Sequence, residues 1–372
     1  MELQKQKIVV FSDKLFHKID IVRMIAFSKT QEDPFYVCDI PDIVRKYEQW
    51  VEKLPRIKPF FDQLLSLHLK SLIHAASFGS PEGEIKTLLQ LKVAPENIIL
   101  ANTIKPKSTI RLAKEIGVWC MTFDNEFELR KMKEIYPSAK LIIRIKVNST
   151  KARVVLDDKF GCEFVEEAPR LLRLASYLQL KVYGVSFHVG SDSEDPEAFY
   201  HSIKHSRKLF DLGKSLGHDM KFVKVINSSL EEYFPGPDVL IIAEPGRYFV
   251  SSSMTLATQI QYMPCEQPME LKKCILWGPT CDSGDCLQTQ YLLPKLNVED
   301  WIKFDNFGAY TLTTCTEFSV IPAPHVFAVA DYSTSMLLQN LQPSMKTHFE
   351  FANDDTFDIT LWYQYRSRKQ EI

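Results

Sequence analysis

The chain has 372 residues, enough for one large or two ordinary domains, with 45% hydrophobic and 25% charged residues, as in a soluble globular protein. A formal net charge of −2 gives no reason to expect nucleic acid or another polyanion as partner. No apolar stretch is long enough for a bilayer, and Met1-Glu2-Leu3-Gln4-Lys5 contains no apolar signal core, so neither membrane insertion nor export is expected. Eight cysteines without a C-x-x-C pair disfavour zinc, and a chain this large does not need disulfide staples; a reducing cytoplasm and no metal site are expected.

In chain order, residues 8–11 form a short apolar run that could join a sheet built farther along. From about 96 to 250, apolar β-type runs at 97–101, 141–145, 182–187, 222–226 and 239–243 alternate with amphipathic segments. Buried parallel strands read as continuous apolar runs of this kind. Asp195-Pro196-Glu197 is a helix start, with a capping side chain followed by proline at the first helical position. Phe199, Ile203, Phe210 and Leu216 lie close to one face of that helix, and Gly217 is placed to end it. Repeated β-then-α units point to a (β/α) barrel or an open α/β sheet. After about 255 the helical period fades. β-rich runs at 273–277 and 320–330, punctuated by prolines, read as an all-β module. The tail beyond about 331 is polar and without clear period.

Four motifs carry chemistry. Ser186-Phe187-His188-Val189-Gly190-Ser191 follows an apolar run, where a barrel binds its ligands; the histidine can stack on a flat cofactor and the glycine lets backbone approach. Ala243-Glu244-Pro245-Gly246-Arg247-Tyr248 also ends a run. Its carboxylate can pair with a protonated pyridine nitrogen and its arginine can hold a phosphate. Trp277-Gly278-Pro279-Thr280-Cys281-Asp282 sets a thiol beside an acid that suits a cationic amine. Asn306-Phe307-Gly308-Ala309-Tyr310-Thr311 offers a phenol next to a glycine. Read singly, each is also an ordinary turn. His201 and His205, one helical turn apart, read as a solvated helix face.

Together and in this order, with Pro59-Phe60-Phe61, Met121-Thr122-Phe123-Asp124 and Tyr233-Phe234-Pro235, these motifs resemble the eukaryotic ornithine decarboxylase family, which includes the antizyme inhibitors. The likeness runs from about 35 to 335. It implies a (β/α)8 TIM-like barrel, complete or lacking a segment, plus a C-terminal β-domain. Residues 1–35 are then expected to contribute to the β-domain, 36–255 to form the pyridoxal-phosphate-binding barrel, 256–335 the β-domain and 336–372 a divergent tail. The resemblance makes His188 the residue stacked on the cofactor ring and Glu244 the partner of its nitrogen. Ser191, Arg247 and Tyr310 match phosphate contacts, and Cys281 and Asp282 match catalytic residues. Family active sites form across a homodimer, with Lys159 and Asp285 matching an ion pair between subunits.

The departures point away from decarboxylation. The family's Pro-Phe-Tyr-Ala-Val-Lys carries the lysine that anchors the cofactor covalently. Here Pro59-Phe60-Phe61 continues as Asp62-Gln63-Leu64, and Lys70 is the nearest lysine downstream. The glycine-rich phosphate loop is replaced by Ile226-Asn227-Ser228-Ser229-Leu230. The Asp-Gly segment before Trp277 is gone, and no Phe-Asp-Cys-Ala-Ser is recognisable around Ser77-Phe78-Gly79-Ser80. The resemblance thus implies an antizyme-inhibitor-like regulator of polyamine metabolism. It would dock antizyme through residues 102–129, with Lys105, Lys107, Arg111 and Lys114 as a basic patch, and assemble as a homodimer or with ornithine decarboxylase. An active decarboxylase making putrescine from ornithine, or a decayed copy, are the alternatives.

Overall fold

A computed structural model describes residues 6–12, 17–28, 31–59, 81–90, 93–147, 159–190, 193, 195–224, 230–261, 271–294, 296–312, 315, 320–341 and 349–353. They form two compact units. Of these residues, one unit takes those up to Gln49 and from Pro245 onward, and the other takes those between Trp50 and Glu244.

The first unit opens with strand β1 (Gln6–Phe11), helix α1 (Lys18–Ala26), strand β2 (Phe35–Asp39) and helix α2 (Ile40–Lys53), whose last turn enters the second unit.

The second unit is a parallel sheet. Its strands are β3 (Lys58–Pro59), β4 (Ile99–Leu100), β5 (Cys120–Phe123), β6 (Lys140–Ile145), β7 (Lys181–Phe187), β8 (Phe222–Lys224) and β9 (Leu240–Ala243). Their order is β3-β9-β8-β7-β6-β5-β4, so the last strand returns to pair with the first. Sequential parallel order with that return is barrel topology, not a doubly wound sheet. Residues 60–80, between β3 and α3 (Pro81–Gln90), lie outside the described residues. Helices α4 (Lys107–Ile116), α5 (Glu126–Ile135), α6 (Glu167–Tyr177), α7 (Pro196–Ser215) and α8 (Leu230–Tyr233) follow their strands.

The sequence explains the sheet. Leu141, Ile142, Ile143 and Ile145 are all buried, and each contributes roughly 1.5–3 kcal/mol relative to an exposed position. Cys120, Ile142, Phe222 and Ile242 meet in one cluster with Ile99, Trp119 and Tyr183, so six strands or their leading residues share one core. The α7 start behaves as its sequence demands: the Asp195 side chain accepts from the Ala198 amide at 3.2 Å. Gly217, just past its end, has φ +80°.

After Pro245 the chain adds α9 (Gly246–Val250), β10 (Met254–Gln259), β11 (Lys272–Trp277), β12 (Cys286–Leu293), β13 (Trp301–Phe304), β14 (His325–Asp331), α10 (Tyr332–Leu341) and β15 (Phe349–Asn353). Six strands pair in the order β13-β10-β2-β14-β1-β15, while β11 and β12 form a separate antiparallel hairpin. Alternation divides the sheet into two faces. Val9 and Phe11 pack with Ile21, Val22 and Ile25 of α1; Ile8 and Ala328 pack with Ile40 and Val44 of α2 and Leu338 of α10. Helices therefore pack on both faces of this sheet, so the β-domain carries helices beside its strands. Because β2 and β10 pair in this sheet, residues 36–49 and 245–255 go with it rather than with the barrel. The stretch read as a divergent tail supplies most of α10 and edge strand β15, parallel to β1.

Candidate functional site

In the barrel unit, His188 stands just past β7 and Glu244 just past β9, the ends where a barrel gathers its reactive groups. The Gly190 amide donates to His188 Nδ1 at 2.9 Å and fixes the ring. Gly190 does so at φ +90°, a conformation few other residues accept. Glu244 is half-buried. Burial pushes the Cys120 thiol up to about 12, Lys140 offsets this, and the Glu244 charge adds to it. Ser191 lies outside the described residues, as do Leu64, Lys70 and residues 225–229.

In the other unit, Arg247 enters α9 and its guanidinium sits 4.5 Å from the centre of the Tyr310 ring. Buried Arg247 Nε has no hydrogen-bond partner among the described residues. A stacked guanidinium with an unanswered N–H is suited to an oxyanion. Gly308 allows the close approach: a Cβ there would run into the Val250 carbonyl oxygen.

Cys281 and Asp282 are exposed together at the turn between β11 and β12. The turn holds itself. Asp282 Oδ1 accepts from the Gly284 amide at 2.9 Å, and Asp285 Oδ2 accepts from the Thr280 amide (3.0 Å) and hydroxyl (2.6 Å). Asp285, expected as an ion-pair partner between subunits, thus braces its own loop, while Lys159 Nζ lies 5.2 Å from the Phe160 ring centre.

The basic patch needs correction at Lys105. This residue is 1% exposed. Its Nζ donates to the carbonyls of Thr122 (2.6 Å) and Asn102 (2.8 Å) and faces Glu128 Oε1 at 3.0 Å. Lys131 takes the other Glu128 oxygen at 2.5 Å. Burial lowers the Lys105 amine to about 8 against the pull of Glu128. Lys105 therefore ties the β4–α4 loop to α5 from inside. Lys107 is exposed but pairs with Glu134 at 2.7 Å. Arg111 and Lys114 are exposed and flank a shallow groove of about 530 Å³ with Glu115, Glu134 and Ile135. Apolar-period reading missed Ile104 and Phe127, 61% and 80% exposed on this same stretch, because both resemble core residues by type alone. His201 and His205 hold no metal cluster among the described residues; His205 stacks on Phe164 at 3.9 Å.

A family model described as "Pyridoxal-dependent decarboxylase, pyridoxal binding domain" matches residues 40–225. Rat ornithine decarboxylase is 33% identical over 390 aligned positions, covering 85% of this chain and 84% of the relative. The chain belongs to the ornithine decarboxylase family of pyridoxal-dependent decarboxylases. Antizyme inhibitor 2 of Xenopus laevis is 32% identical, covering 84% of this chain and 85% of that relative. Among solved structures, the Paramecium bursaria Chlorella virus arginine decarboxylase bound to agmatine superposes with a TM-score of 0.74 at 29% identity, over 84% of this chain and 100% of that one. The fold is the family's TIM-like barrel with a β-domain, and pyridoxal phosphate is the family cofactor. This chain fits that group in part. The unanswered Arg247 Nε, in a guanidinium stacked on Tyr310, suits its phosphate; Leu64, which the resemblance matches to the family's anchoring lysine, lies outside the described residues.

Proposed function

We propose that this member of the ornithine decarboxylase family is a non-catalytic regulator in the cytoplasm that binds antizyme and so relieves ornithine decarboxylase. The observation that carries the reading is Leu64. Without an amine there, the family's cofactor has no covalent anchor in its motif, and family decarboxylation depends on that anchor. The missing Asp-Gly segment removes a second substrate carboxylate. By the resemblance, His188 and Glu244 match the family's contacts to the pyridine ring and Arg247 and Tyr310 its contacts to the phosphate; pyridoxal phosphate, when bound, would supply an electron sink. Their retention is what favours the second reading, an active decarboxylase that recruits Lys70.

The likeness to antizyme inhibitor 2 and the surface of residues 102–129 support the partner. That surface offers Arg111 and Lys114 for acidic groups and Ile104 and Phe127 for apolar contact. A pull-down with purified antizyme tests it. Capture that weakens tenfold or more in the Arg111→Glu, Lys114→Glu double variant, and weakens with added salt, is the expected outcome. No capture by protein shown to be folded would eliminate the regulator, and failure of the wild-type chain to fold would favour a decayed copy. The β11–β12 hairpin also exposes Leu271, Ile275, Trp277, Leu287 and Leu292. Two-stranded ribbons are marginal alone, which supports self-association or pairing with ornithine decarboxylase through this element.

A further inference from the structure

The turn at residues 251–254, behind the Arg247–Tyr310 pair, is gripped by three elements that carry none of the proposed site residues. From α2, Asp42 Oδ2 accepts the Ser252 hydroxyl at 2.5 Å, and Lys46 Nζ reaches both Asp42 (3.2 Å) and Ser252 Oγ (2.5 Å). From α1, Lys18 Nζ donates to the Ser252 carbonyl at 2.6 Å. From the end of β2, the Asp39 amide donates to the Ser253 carbonyl at 2.7 Å. The same turn holds both arms of the pair. The Ser251 amide donates to the Arg247 carbonyl at 3.0 Å, closing α9. Gly308 donates to the Ser251 carbonyl at 3.2 Å and Phe307 to the Met254 carbonyl at 3.0 Å, which fixes the loop leading to Tyr310. Tyr248, next to Arg247, donates its hydroxyl to the Lys46 carbonyl at 3.3 Å.

Asp42 is nearly buried. Burial pushes its carboxyl up, but Ser252, Lys46 and Arg45 outweigh that and hold it below the usual carboxylate range. A buried charged pair of this kind contributes little net stability, because desolvation cancels most of the attraction; apolar residues of the same volume would often serve as well. What the pair does supply is a fixed distance.

We propose that Asp42, Ser252 and Lys46 form a positioning staple that sets the spacing of Arg247 and Tyr310 to receive the phosphate of a phosphorylated ligand. The inference rests on the reading of Arg247 and Tyr310 as an oxyanion site. None of the three would touch the ligand; each acts through the 251–254 turn.

The test compares the full chain's affinity for pyridoxine 5′-phosphate and for pyridoxine, which share the ring and lack an aldehyde that would modify lysines at random. The wild type should prefer the phosphate form. Ser252→Ala should lose about tenfold of that preference with pyridoxine affinity unchanged, and Ser252→Thr, which keeps the hydroxyl, should retain it. Asp42→Asn provides the same comparison with a near-isosteric side chain if Ser252→Ala does not fold. An unchanged preference in folded variants, or an equal loss for both ligands, overturns the staple and leaves the oxyanion site standing. A wild type with no phosphate preference, unaltered by Arg247→Ala, removes the site and the staple together.

Discussion

At the residue scale, Lys105 shows how one side chain in a basic run can serve a different purpose from its neighbours. Lys107, Arg111 and Lys114 face solvent, whereas Lys105 is enclosed by Thr122, Asn102 and Glu128. Removing the lysine leaves Glu128 buried with only Lys131 to answer it. Breaking a buried pair costs about 3–5 kcal/mol. Lys105→Met should therefore lower the urea midpoint sharply, and the added change Glu128→Leu should recover most of the loss. A Lys105→Met chain as stable as wild type would show that the pair is not holding the loop. It follows that antizyme binding lost in Lys105→Glu would report a damaged fold rather than a damaged surface. The sequence could not show this, since two of the Lys105 partners, Thr122 and Glu128, come from β5 and α5. The Asp195 cap on α7 was legible because its acceptor and donor lie three residues apart.

At the element scale, what the sequence displayed was what short-range pattern controls. The runs of β6, β7 and β9 are mostly apolar and mostly buried, and they emerged within a residue of their expected limits. Strand β15 stayed hidden: Phe349–Asn353 is short, lies at a sheet edge and is defined by pairing with β1 at the opposite end of the chain. Helix α2 carries a pH dependence at its start. Asp39 Oδ1 accepts from the Asp42 amide at 3.2 Å, yet burial pushes the Asp39 carboxyl up to about 6 from 3.8, with the Asp42 amide and Lys18 opposing. The folded chain thus keeps a proton that the unfolded chain releases between pH 3.8 and about 6, so this group's contribution falls as pH rises through that window. Asp39→Asn preserves the acceptor and removes the charge. The variant should be more stable than wild type at pH 8, with the difference vanishing near pH 4, as followed by urea unfolding. An equal difference at both pH values would mean that titration of Asp39 is not the cause.

At the scale of the whole molecule, the chain keeps the family's architecture, a parallel barrel and a β-domain. Barrel order survives, since β3 pairs with β9 as the closing step. His188 and Glu244 end strands of that barrel, and Arg247 and Tyr310 stack where an anion can be met. The order of the motifs along the chain made the family legible in the sequence. The division of the chain was less so, because β2 and β10 belong by pairing to a sheet assembled from both ends of the sequence. The central claim is chemical, that no lysine of this protein holds pyridoxal phosphate covalently at the site. Borohydride reduction of the folded protein with stoichiometric pyridoxal phosphate, followed by peptide mass mapping, tests it most directly. The expected map shows no lysine modified beyond the scattered level found in unfolded protein. A single, near-stoichiometric pyridoxyl-phosphate adduct at Lys70, accompanied by CO2 release from ornithine that Lys70→Ala abolishes, would contradict it.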